Sequence, residues 1–325
     1  MSELLPWQSK SLLRLQARIN GGSLSHALLI EGRDSRSAEM FGGMLSKTLI
    51  CQQGVLGGCG ECRSCELSKA ETNPDRWAIK REDEAQIKVE SIRELIEWSQ
   101  KTTQIGRIKV AVIEGCDRMN RNAQNALLKL LEEPTSETYL ILVTADSQRL
   151  LATVRSRCER VRLGQPSAQE ALNWVKRQLG DSDPHSASEA LAFAHGEPLA
   201  AIEAIASGLA ERLVDIETAL CAWCESEISS LELGRKALDL AEPKEIYALL
   251  ALRLRESIRE DVRLAPEARA SSGIAAHLRG KSNWQRRLDA LAMVENAWTQ
   301  SKTMTGLNQA LHLEATLINL ERVLE

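Results

Sequence analysis

Three short apolar runs decide the fold class. HALLIE at His26–Glu31, VAVIE at Val110–Glu114 and YLILVT at Tyr139–Thr144 are short, apolar and suited to buried strands. Weaker runs at Trp77–Lys80 and Arg160–Leu163 read the same way. Between them lie segments with helical spacing, Ala38–Ile50, Val89–Gln100 and Asn122–Glu133. The last is closed by Pro134, which disfavours helical geometry in the residue before it. Buried strands alternating with helices predict a parallel sheet covered on both faces. Past Gly164–Pro166 only helices are expected, with a break at His195–Pro198 and long amphipathic stretches at Pro243–Arg263 and Trp284–Lys302. The expected layout is an α/β domain over 1–163, a small helical domain over 164–208 and an all-α domain over 209–325.

Composition narrows the function by exclusion. The 325 residues are 43% hydrophobic and 26% charged, as in an ordinary globular protein. The net charge of −4 argues against binding nucleic acid through bulk electrostatics, so any DNA contact should be local or shared with partner chains. No apolar run is long enough to cross a bilayer, and MSELLPWQSK lacks the pattern of a secretion signal. No membrane association and a cytoplasmic, reducing location are therefore expected. In that setting the eight cysteines are metal ligands or buried thiols rather than disulfides.

Cys51, Cys59, Cys62 and Cys65 form C-x7-C-x2-C-x2-C in a glycine-rich stretch. Four soft thiolates complete a tetrahedral zinc site and leave no open position for water, so the expected Zn2+ is structural. An iron–sulfur cluster is the alternative occupant. Cys221 and Cys224 form another C-x2-C, but with no second pair nearby they read as ordinary thiols on a helix. Cys116 and Cys158 are isolated and are not assigned as nucleophiles.

The segment GRDSRSAE, Gly32–Glu39, follows the first buried strand and precedes a helix, which is the setting of a phosphate-binding loop. Such a loop needs G-x4-G-K-[ST], where the Lys holds the terminal phosphates and the hydroxyl binds magnesium. Here Ser37 stands in place of the second Gly, Ala38 in place of Lys and Glu39 in place of the hydroxyl residue. Hydrolysis of ATP by this chain alone is not expected, and Glu39 would repel a triphosphate.

The helical segment NAQNALLKLLEEP at Asn122–Pro134 has an ordinary core-facing pattern. It also resembles a segment shared by clamp-loader subunits of the AAA+ superfamily. Further along, Thr144 matches the position of that family's sensor residue, and Ser156, Arg157 and Cys158 match its Ser-Arg-Cys motif. VAVIEGCDRM resembles the family's acidic strand, with Glu114 at the metal-binding position and Gly115 where the water-activating carboxylate belongs. In HGEPLAA, Leu199 and Ala200 stand near the usual sensor arginine. TGLNQALHLEATLINL is similar to the final helix of a collar domain, with Leu307, Ala310, Leu311 and Leu317 as contact candidates that core packing explains equally well. An intact Ser-Arg-Cys motif beside a ruined phosphate loop most resembles the delta-prime family of bacterial DNA polymerase III.

The resemblance implies an AAA+ (RecA-like) domain carrying the zinc module at about 51–65, then a helical lid and a collar. It implies a non-hydrolysing subunit of the polymerase III holoenzyme that helps load the sliding clamp onto primed DNA during replication. Its partners would be gamma/tau and delta subunits in a hetero-pentamer, with the clamp and primer-template DNA reached through the complex at the replisome. Arg157 would act as an arginine finger in trans on ATP held by a neighbour. The residues alone also permit a structural ion pair for Arg157, and phosphate contacts for Arg149 and its neighbours. Three rival readings are an active gamma/tau-type ATPase, a zinc-dependent nucleic-acid module resting on Arg63, Lys69 and Trp77, and a small-molecule enzyme. The first needs the missing phosphate-loop Lys, and none of the five histidines supports the last.

Overall fold

The computed structural model describes residues 5–80, 86–135, 137–179, 184–194, 196–262, 273–303 and 308–325. The chain divides into two compact units, Met1–Pro166 and Ser167–Glu325. The first contains α1 (Ser9–Asn20), β1 (Ala27–Glu31), α2 (Ser35–Ile50), α3 (Arg63–Lys69), β2 (Arg76–Ile79), α4 (Val89–Ser99), β3 (Lys109–Ile113), α5 (Arg121–Glu132), β4 (Thr138–Thr144), α6 (Ala152–Arg157) and β5 (Glu159–Arg162). All five strands join one parallel sheet in the order β2-β3-β4-β1-β5.

Strand alternation splits the apolar residues between two cores. Ala27, Leu29, Ala111, Ile113, Leu140 and Leu142 face the helices α4, α5 and α6. Leu28, Ile30, Val110, Val112, Ile141 and Val143 face α1 and α2. Helix α2 lies close against the sheet because Gly42 has no side chain: a Cβ there would sit 2.7 Å from a methyl of Val143. The parallel sheet covered on both faces is therefore present, with each strand within a residue or so of its expected span.

Two buried charges fix the connection from α4 to β3. Lys109 donates its ammonium protons to the carbonyls of Trp98, Ser99 and Lys101, the loose C-terminal end of α4. Asp75, 1% exposed, accepts the backbone N–H groups of Gln104, Ile105 and Gly106 at 2.7, 2.7 and 2.8 Å. The same connection reaches the cysteine-rich segment, since the Gln52 amide donates to the Ile105 carbonyl.

The second unit is helical throughout its described residues: α7 (Ala168–Leu179), α8 (Pro184–Phe193), α9 (Pro198–Ala206), α10 (Leu209–Cys224), α11 (Ser230–Leu240), α12 (Pro243–Val262), α13 (Gly273–Lys281), α14 (Trp284–Thr303) and α15 (Gln309–Leu324). Its buried apolar residues form two clusters. Ala171, Val175, Ala187, Ala190, Leu191 and Ala201 make the smaller, on α7–α9. The larger, on α10–α15, is built around Trp223, Tyr247 and Leu317. Of the four collar candidates, Leu317 is core, Ala310 and Leu311 face outward, and Leu307 lies outside the described residues. No helix among the described residues is long and apolar enough to cross a membrane.

Replacing Asp75 by Ala strands three backbone donors. Urea unfolding followed by tryptophan fluorescence should show a loss of roughly 3 kcal/mol.

Candidate functional site

The four sequence-adjacent cysteines converge on one point. Cys51 caps the C-terminus of α2, Cys62 precedes the first residue of α3, and Cys65 lies in the first turn of α3. All four sulfurs lie within 4.8 Å of one another, and Cys59 and Cys65 are 3.9 Å apart. A tetrahedral site with Zn–S bonds of about 2.3 Å has sulfur–sulfur edges of about 3.8 Å, so the donors fit a small soft dication. Gly58 is tightly placed: with φ of 90° and a built Cβ only 3.0 Å from the Cys65 sulfur, it leaves no room for a side chain.

Backbone amides point at the sulfurs. The Cys59 N–H donates to Cys51 Sγ at 3.4 Å and the Cys62 N–H to Cys59 Sγ at 3.3 Å. Burial opposes ionisation of Cys51, but the N–H groups of Cys59, Val55 and Gln53 outweigh it and bring the thiol down to about 6. Cys62 also ends below its ordinary value, burial again being overcome by N–H groups, here of Gln52 and Cys65. Cys65 is pushed up to about 12, by burial first and then by its three sulfur neighbours despite the Gly60 amide. The first thiolates form readily and the last is resisted, an imbalance that a bound dication relieves.

The segment with the phosphate-loop pattern differs from a phosphate cradle. Helix α2 begins at Ser35, three residues earlier than the expected Ala38, and only Gly32–Asp34 separate it from β1. The Asp34 carboxylate accepts the N–H groups of Arg36 and Ser37 at 3.0 and 3.2 Å. Those amides are the positively polarised helix end at which an anion would otherwise bind. Ser37 and Ala38 are buried, and a Cβ on Gly32 would lie 2.9 Å from the Ala38 methyl. Asp34 is a helix-start residue in the sequence as well as in the structure.

At the carboxyl ends of β3 and β4 a cavity of about 110 Å³ is lined by Ser35 and Glu39 of α2, and by Gly115, Asp117 and Thr144 among others. Thr144, the sensor match, donates its buried hydroxyl to Asp117 at 2.7 Å and accepts the Asp146 N–H at 3.0 Å. Gly115 takes the left-handed conformation, with φ of 61°, at the start of a 3-10 turn. Glu114 follows β3 directly and its N–H donates to the Ile79 carbonyl. Asp117, not singled out from the sequence, is the Thr144 partner. Leu199 and Ala200 lie in α9.

Arg157 is the last residue of α6 and is exposed. Its guanidinium donates to the Thr153 carbonyl at 3.0 Å and pairs with Glu132 at 2.6 Å. Ser156 donates to the same carbonyl, and Cys158 is buried, its thiol pushed up to about 12 by burial. The neighbouring arginines resolve into separate pairs. Arg160 and Arg162 both hold Glu31, whose pKa they and Ser147 lower against the opposing effect of burial, while Arg155 meets Gln148. Arg149 is exposed. Cys116 is fully buried and its thiol raised by burial, so neither it nor Cys158 is primed as a nucleophile. Cys221 and Cys224 sit one turn apart on α10 beside the helical core, both raised first by burial, Cys224 to about 11.

The chain matches the family described as "DNA polymerase III, delta subunit" over residues 7–167. It is similar to the DNA polymerase III subunit delta' of Pseudomonas aeruginosa, with 33% identity over 236 residues covering 72% of this chain and 71% of the relative. The corresponding Escherichia coli subunit is 35% identical over 199 residues, 61% of this chain and 59% of the relative. Among solved structures, a gamma subunit-related protein of DNA polymerase III from Thermotoga maritima aligns over 97% of this chain and 100% of its own, with 19% identity and a TM-score of 0.49.

Asp34→Ala removes the cap of α2 and should lower stability by about 1 kcal/mol in chemical denaturation, with Asp34→Asn keeping most of it.

Proposed function

The chain belongs to the delta-prime family of DNA polymerase III subunits, and we propose that it is the non-hydrolysing member of a clamp loader, lending Arg157 to ATP held by a neighbouring gamma/tau-type subunit. The observation that carries this reading is a contrast between two ends of the same sheet domain. The helix end that would hold phosphate is closed by Asp34, with Ala38 packed where a lysine would reach out. The arginine of the Ser-Arg-Cys motif stands exposed at the end of α6. The cavity is lined by Glu39 and Asp117, whose carboxylates would repel a triphosphate, with Arg118 as the one opposing charge among its described lining residues. With Gly115 in place of a carboxylate, that position offers no base for an attacking water.

Phosphoryl transfer spreads negative charge over the transferred oxygens, and a guanidinium supplied by another subunit stabilises it. A chain can lose its own site and still contribute to catalysis in this way. The proposed partners are gamma/tau-type and delta subunits in a hetero-pentamer, with the sliding clamp and primer-template DNA engaged through the assembly during replication in the cytoplasm. The helices of the second unit would provide a lid, to about residue 208, and a collar that joins the subunits.

We assign zinc to Cys51, Cys59, Cys62 and Cys65. The ion would supply no reactivity there; it would crosslink the end of α2 to the start of α3. One zinc per chain is expected by metal analysis, lost in Cys62→Ser. Affinity should fall as pH is lowered, because protons compete for the same thiolates. Retention of stoichiometric zinc by Cys62→Ser would remove the assignment.

The functional reading is tested by reconstituting the chain with its ATP-binding and delta partners and measuring clamp- and DNA-stimulated ATPase. The isolated chain should be inert. Arg157→Ala should assemble normally and slow turnover by roughly a thousandfold at the site it serves. Hydrolysis by the isolated chain, or wild-type turnover in the assembled mutant, would contradict it.

A further inference from the structure

The Arg157 guanidinium is pinned at two points. Nη1 donates to the Thr153 carbonyl, one turn back in α6, and Nη2 meets Oε1 of Glu132, the last residue of α5. Helix α5 is itself anchored by Leu127, Leu130 and Leu131 in the core against the sheet. The pair therefore ties the tip of a six-residue helix to the end of a longer and better-buried one.

Stability does not explain this pair. The two side chains are 36% and 48% exposed, and ion pairs so placed add little to folding. A carboxylate at the C-terminal end of a helix is also opposed by the helix dipole. What the pair does accomplish is orientation. A guanidinium has five N–H donors in a rigid plane, and these two contacts occupy two of them. Among the described residues the remaining donors have no partner, so they can meet a further acceptor. A side chain already restrained loses less freedom when it is captured, which favours a reaction that needs it in one place.

We propose that Glu132 is a positioning residue for Arg157, holding the guanidinium on the surface in the orientation in which it meets the anionic oxygens of a nucleotide on a neighbouring subunit. The inference rests on the trans-acting reading of Arg157. Glu132 does not touch the nucleotide and acts only through the arginine.

The test is a double-mutant cycle in the assembled complex, reading KM for ATP and, from single-turnover phases, the kcat of the one site that Arg157 serves. Glu132→Ala should lower kcat about threefold, the scale of an exposed ion pair, with KM unchanged. Glu132→Gln, which keeps an acceptor but not the charge, should fall between Glu132→Ala and wild type. Glu132→Ala combined with Arg157→Ala should be no slower than Arg157→Ala alone. An unchanged or raised kcat in Glu132→Ala overturns the proposal. So does the same threefold loss on top of Arg157→Ala, because Glu132 would then act independently of the arginine. If Arg157→Ala itself leaves kcat at the wild-type value, the trans-acting reading fails first and this inference falls with it.

Discussion

Strand β4 pairs with β3 on one side and β1 on the other in unbroken parallel register, setting Thr144 level with Glu31. Strand β5 continues the register and sets Arg162 beside the same glutamate. Parallel strands bring their carboxyl ends to a common edge, so the segments leaving β1, β3 and β4 gather there. That is why Ser35, Gly115, Asp117 and Thr144, far apart in sequence, border one small region. The turn after Thr144 also leads within a few residues to α6 and Arg157. Arg157 itself lies toward the opposite, amino edge, two residues before β5 begins.

The two features differ in how each charge is treated. At the start of α2 the chain supplies its own anion: the Asp34 carboxylate takes the amides that a phosphate would use. At the end of α6 the chain presents a cation whose partner, Glu132, is itself half-exposed, so the guanidinium remains reachable. In the proposed ring, where each nucleotide would lie between subunits, such a chain would act on a neighbour's nucleotide without holding its own. The cysteine module stands apart from both. Its amide-to-sulfur bonds and crowded thiols suit a bound ion, and the Gln52–Ile105 contact links it to the connection that Asp75 and Lys109 hold in place.

Much of this could be read from the sequence, and the rest could not for identifiable reasons. HALLIE, VAVIE and YLILVT are strands because they are short, apolar and bounded by turn or helix signals, and all three are found within a residue or so of their expected spans. The cysteines converge as their spacing implies, since a C-x2-C pair closes on itself locally. Helix α2 starts at Ser35 rather than Ala38 because Asp34 caps it, as the preference of Asp for a helix start dictates. The pairing of Glu132 with Arg157, like that of Asp75 with the 104–106 amides, carries no sequence signal. The partners lie 25 to 31 residues apart, and only the packing of α5 against α6 or of β2 against β3 brings them together.

One ATP site in the assembly is proposed to depend on an arginine from a chain that hydrolyses nothing itself. The most direct measurement is single-turnover hydrolysis by the assembled, DNA-bound complex, comparing wild type with Arg157→Lys. The fast phase should lose the amplitude of one site, which moves to a much slower phase, while the other sites keep their rate. An unchanged time course, or equal slowing of every site, would contradict it.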